Sequence, residues 1–197
     1  FGDTRIFITM TSGLVEMMND EELDTVIAHE CGHILCRHVL YHTIANYILS
    51  GVDALGVLGA LTVPVKYAIL YWQRKSELSC DRAASIVTSP DVVASVMARL
   101  SGGPKSITSE VNMEEWAKQA DQYDSIRNDG LWNKALQVYA IAAQSHPFSA
   151  VRVREILHWG KSVQYQNLMS NLSQQASGKK CPHCGRGVET AWCFCKH

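Results

Sequence analysis

His29-Glu30-Cys31-Gly32-His33 constrains this chain more than any other stretch. In a helix, residues four apart lie on one face, so the two imidazoles can share one cation. The flanks supply that helix. Asn19 followed by Asp20, Glu21 and Glu22 gives a capping residue and an acidic first turn, and Leu23, Val26, Ile27, Ile34, Leu35 and Val39 form an apolar stripe. The pattern predicts a helix from Asn19 to about Tyr41. Zinc fits this donor pair, because imidazole nitrogen binds it well and two His leave room for a third ligand and a water whose pKa the metal lowers. Glu30 directly follows the first ligand, where a carboxylate can take the proton of that water as general base.

A second segment, Gln73 to Ala84, places Glu77 and Asp81 four apart on one helical face. Two carboxylates beside an apolar core need a cation or a partner to be buried. The same pair is also served by solvent and by Arg74, Lys75 and Arg82 along the helix. The residues by themselves leave both readings open.

Elsewhere the chain reads as helical after its first ten residues. Arg5-Ile6-Phe7-Ile8-Thr9 has β-rich chemistry, and Thr11-Ser12-Gly13 reads as a turn into a short helix. Ile44 to Tyr71 is the most apolar stretch. Its longest clean run, Ala54 to Val63, falls short of the roughly 20 apolar residues of a span, and Asn46, Asp53, Pro64 and Lys66 interrupt it. A buried helical hairpin is expected, with membrane insertion as the alternative. Pro64 suits the start of the next helix. Ser89-Pro90-Asp91 reads as an N-cap with Pro at the first helical position, and Gly102-Gly103-Pro104 as a stop. Ser101 to Gly130 reads as a polar connector, Trp132 to Ala143 and Val151 to Trp159 as helices around Ser145-His146-Pro147-Phe148, and a polar helix-like segment follows.

Ser177-Gly178-Lys179-Lys180 reads as a linker, dividing the chain into a main domain, 1–176, and a tail, 177–197. Four of the seven cysteines fall in that tail. Cys181-Pro182-His183-Cys184-Gly185 is a zinc-knuckle pattern, and Cys193-Phe194-Cys195 is its less regular second half, where His183 or His197 could replace one thiolate, so a structural zinc is expected there, with an unfilled tail as the alternative. So short a segment would draw its folding energy from the metal. Cys31, Cys36 and Cys80 have no evident pairing plan, which favours a reducing, cytoplasmic setting. The chain opens at Phe1 without an initiator Met or signal pattern, as a trimmed or processed chain would. Its 197 residues, 47% hydrophobic, suffice for one substantial core, and a net charge of −1 with 18 scattered basic residues argues against nucleic acid as a partner.

Taken together, Arg5 to Thr9, Gly13-Leu14, Glu21-Glu22-Leu23, Val26 to His38, Arg74 to Asp81, His146-Pro147 and Arg152 resemble the gluzincin metallopeptidases that include the heat-shock protease HtpX and the CAAX prenyl proteases. The resemblance covers about residues 1 to 160. It implies a mainly α, zincin-like domain with a small edge β-sheet, and a zinc-dependent endopeptidase acting on peptides or unfolded proteins. By that likeness His29, His33 and Glu77 hold one catalytic zinc, Glu30 is the general base, and Asp81, paired with Arg152, supports the ligand helix. His146 would stabilise the oxyanion, and Arg5 to Thr9 would bind substrate backbone as an edge strand. Cys31 and Cys80 depart from the small or apolar residues commoner there, reading as small buried hydrophobes or as redox-sensitive thiols. Two other readings are a latent, zinc-stabilised binding module that recognises partners through the tail, and a membrane-associated protease touching lipid through residues 44–71.

Overall fold

The computed structural model describes residues 6–54, 63–126 and 149–176, together with Cys184. Among them all regular structure is helical: α1 (Ser12–Met17), α2 (Asp20–Leu35), α3 (His38–Ala54), α4 (Val63–Val87), α5 (Pro90–Gly102), α6 (Lys105–Thr108), α7 (Met113–Ile126), α8 (Ser149–Gly160) and α9 (Val163–Ala176).

The capping signals act as the sequence indicates. The Asn19 side chain accepts from the Glu22 amide at 2.9 Å and Glu22 returns a bond to the Asn19 amide at 2.9 Å, a complete capping box. The other carboxylate oxygen of Glu22 accepts from buried Arg99 of α5, so one side chain both caps α2 and ties it to its neighbour. Ser89 caps α5 with Pro90 in its first turn, and Gly103 ends it at φ 88, a conformation that favours glycine.

The core lies where α5 packs against α2, α4 and α8. Val93, Val96 and Met97 recur at helical spacing and meet Ala84, Val153 and Ile156, all buried. Burying each large aliphatic chain contributes about 1.5–3 kcal/mol. α2 and α4 form the most extensive pairing, and they cross closely. A Cβ added to Gly32 would lie 3.2 Å from Cys80 Sγ and 3.4 Å from Cys80 Cα, so the glycine is what lets the two helices approach.

Four expectations change. The helix that begins at Asp20 stops at Leu35 rather than near Tyr41. The Cys36 amide bonds to Gly32 O and the Arg37 amide to Ile34 O, Arg37 adopts φ 54, and the chain restarts as α3 in a new direction. Cys-Arg contains no helix breaker, so propensity alone gives no warning. The Ile44 to Tyr71 stretch is not a buried hairpin in its described residues: Tyr41, Ile44, Tyr47, Ile48, Val65 and Tyr71 are exposed, because α3 packs with little more than one face. No helix among the described residues is long and apolar enough to cross a membrane. The polar connector after Ser101 instead folds into α6 and α7, whose Met113, Trp116 and Ala117 pack on the core. Residues Ile6 to Thr9 form no strand, and no strand exists among the described residues to pair with them. A lone extended segment has no ladder to join. Arg5 and Trp132 to Ala143 lie outside the described residues.

Candidate metal centre

Where α2 crosses α4, three potential ligands converge. His29 Nε2 and His33 Nε2 are 3.2 Å apart, Glu77 Oε2 is 3.5 Å from His29 Nε2, and Glu77 Oε1 is 3.4 Å from His33 Nε2. Two ligands held about 2.0–2.1 Å from a zinc ion at the tetrahedral angle stand roughly 3.3 Å apart. The three separations match that spacing, and the donor set of two imidazoles and one carboxylate matches zinc chemistry.

Electrostatics favour a cation at the same point. Burial would raise the Glu77 carboxyl, but the His29 contact and the Arg152 charge outweigh it and hold it down at about 2. Burial would likewise lower His29, yet hydrogen bonding to Asp81 and Glu77 lifts it to about 9, while burial takes His33 down to about 4. Without metal, one proton on His29 thus occupies the positive position that the carboxylates create.

Behind the ligands, Asp81 is buried and faces two partners. Arg152 of α8 donates from Nη2 to Oδ1 at 2.6 Å and from Nε to Oδ2 at 2.8 Å, a two-pronged pair. Burial would raise the Asp81 carboxyl; this pairing keeps it below its ordinary range. His29 Nδ1 is 3.0 Å from Asp81 Oδ1, within ion-pair reach but off the line of an ideal hydrogen bond. Arg152 also approaches Glu77 Oε2 at 3.5 Å, so a single guanidinium serves both carboxylates. The solvated-face alternative for Glu77 and Asp81 therefore fails: both are buried and partnered.

Glu30 is exposed on α2, next to His29. Ile6 and Phe7 are exposed, and Cys184 sits exposed in a turn. His146, Arg5, Cys181, Cys193 and Cys195 lie outside the described residues. Cys80 is fully buried against Gly32, and burial pushes its thiol up to about 12, which makes it a packed small side chain; Cys31 is half-buried.

Residues not singled out from sequence also gather here. His38 Nδ1 is 3.2 Å from His33 Nδ1 and 3.4 Å from Cys80 Sγ, His42 Nε2 is 3.1 Å from Ser76 Oγ, and Trp72 packs edge-on against both of these histidines. The run His33, His38, His42 was the available signal, but a spacing of five does not share a face in a continuous helix. Only the break at Arg37 turns His38 back onto His33.

The family model described as "Peptidase family M48" matches residues 2–160. Plastoglobule-localized metallopeptidase 48 of Arabidopsis thaliana is 35% identical over 179 residues, covering 88% of this chain and 51% of that protein. Metalloprotease YcaL of Escherichia coli is 41% identical over 49 residues, 24% of this chain and 19% of its own length. A protease HtpX homolog of Sulfurovum sp. is 38% identical over 52 residues, 26% of this chain and 19% of its own. The chain thus spans about half the length of the first relative. No solved structure matches it significantly.

Proposed function

The chain belongs to peptidase family M48, and from that premise we propose that it is a zinc-dependent endopeptidase whose metal is held by His29, His33 and Glu77. The observation that carries the reading is the convergence of those three donors at the spacing of ligands on one ion. Zinc there supplies Lewis acidity for the peptide carbonyl and for the attacking water. The Glu30 carboxylate takes the water proton and returns it to the leaving amine. Asp81 and Arg152 hold His29 and Glu77 in place, so that Nε2 and the Glu77 oxygens stay aimed at the same point. His146 completes the reading as a donor to the oxyanion, and Arg5 to Thr9, which pairs with no strand among the described residues, as the segment along which a substrate backbone lies. Substrates are peptides or unfolded proteins.

Cys181, Cys184, Cys193 and Cys195 are assigned a second, structural zinc. The exposed apolar residues of α3 and the start of α4, with an open cleft lined by Tyr41, Ile44, Ile48, Val65, Ile69 and Trp72, support contact with a lipid surface by a protein that has no spanning helix among its described residues. One relative's name places that relative at plastoglobules, which agrees with such a partner.

Casein cleavage and zinc content of the wild type and of Glu30→Gln test the enzyme reading. The variant is expected to keep its zinc and lose about 10²–10⁴-fold in rate. Zinc retained by the wild type without any cleavage would replace the peptidase by a zinc-stabilised binding module.

A further inference from the structure

Metal-ligating histidines hold their orientation by donating the second ring N–H to an acceptor. His29 has Asp81 for this purpose. His33 directs Nε2 at Glu77 and His29, so a metal on Nε2 would leave the ring proton on Nδ1, and the atom facing Nδ1 at 3.2 Å is His38 Nδ1. We propose that His38 is the positioning residue for the zinc ligand His33, accepting the His33 Nδ1–H through its own unprotonated Nδ1. The inference rests on the zinc reading above and assigns a residue that this reading does not use.

Three features of the molecule support it. First, His38 is buried and its ring is fixed on several sides: Trp72 packs edge-on at 5.9 Å, His42 stacks at 6.3 Å, and Cys80 Sγ lies 3.4 Å from the same Nδ1. A thiol is a weak donor, so the imidazole N–H of His33 is the stronger claimant on that lone pair. Second, His38 is the first residue of α3, immediately after Arg37 at φ 54. A non-glycine residue in the left-handed region is strained, and this turn folds His38 back under His33. Third, the acceptor is neutral. Glu77 and Asp81 are already present opposite Arg152, and a further carboxylate behind His33 would add negative charge for which the described residues of the site hold no second guanidinium. An imidazole fixes the ring without doing so.

The test is zinc affinity, measured by competition with a chromophoric chelator. It uses the full chain with Cys181, Cys184, Cys193 and Cys195 changed to Ser, so that this centre alone is titrated. His38→Phe fills the space without an acceptor and is expected to weaken zinc about 10–100-fold. His38→Asn places Oδ1 where Nδ1 stood and is expected to hold zinc close to the parent's affinity, a rescue that a role in packing alone would not give. His38→Leu stands in if the zinc-free melting temperature shows His38→Phe to be unfolded. Unchanged affinity in His38→Phe, or His38→Asn as weak as His38→Phe, overturns the proposal. A parent that binds no zinc, or that keeps it in His29→Ala, overturns the metal centre itself instead.

Discussion

Two apolar regions of this chain carry similar side chains and meet opposite fates. On α5 and α8, Val93, Val96, Met97, Val153 and Ile156 are buried among four helices. On α3, Ile44, Tyr47 and Ile48 stand in the open, with Tyr47 70% exposed, although α3 is the more apolar helix. The difference is not one of composition. Among the described residues α5 packs against α2, α4, α6, α7 and α8, whereas α3 packs mainly against α2 and α4. Glu77, a proposed ligand, and Asp81 behind it sit on the part of α4 that faces the crowded side, where both are buried. The opposite end of the same helix shares the exposure of α3.

Substitutions in the two regions should therefore differ in size and even in sign. The largest effect is expected from Arg152→Met, which leaves Glu77 and Asp81 buried without their guanidinium. Urea unfolding of the zinc-free protein should show a loss of about 3–5 kcal/mol, and a loss below 1 kcal/mol would mean that the carboxylates are solvated.

Next comes pH. His29 is raised in the folded state from 6.5 to about 9. Its contribution is fully present below the unfolded value and is lost as pH rises through the folded one. The zinc-free melting temperature should fall between about pH 6.5 and 9, and His29→Ala should flatten that slope; equal slopes in both proteins would remove His29 as the cause.

Glycine-to-alanine changes probe packing directly. At Gly160 a new Cβ would stand 2.7 Å from Pro90 Cγ, and a loss of about 1–3 kcal/mol is expected. At Gly51, on α3, a Cβ meets nothing within 4 Å, so the same change should add about 0.5–1 kcal/mol by helix propensity. Thermal melts showing the same sign for both would break the contrast.

The smallest effect on stability belongs to Tyr47→Ser on the open face, within about 0.5 kcal/mol. Its consequence should appear instead as weaker binding to phospholipid vesicles in a flotation assay; undiminished flotation would separate this face from lipid.

Much of the architecture was legible in local chemistry. Asn19 with Glu22 marked the start of α2, and Ser89, Pro90 and Gly103 marked both ends of α5, because capping satisfies backbone groups within a few residues of chain. α7 was overlooked for its polar composition, although Asn112, whose Oδ1 accepts from the amides of Glu114 and Glu115, announced it. The break at Cys36 and Arg37 carried no such signal. The residue it places, His38, meets partners far along the chain, Trp72 and Cys80.

The sequence by itself determined the pairs: His29 with His33 and Glu77 with Asp81, each four apart, because helical periodicity alone sets which side chains share a face. Tertiary structure decided that the pairs meet. The close crossing at Gly32 and Cys80 brings Glu77 within 3.5 Å of both imidazoles, Arg152 arrives from a helix 71 positions after Asp81, and His38 folds back beneath His33. Such distances depend on how helices pack, and no local spacing contains them.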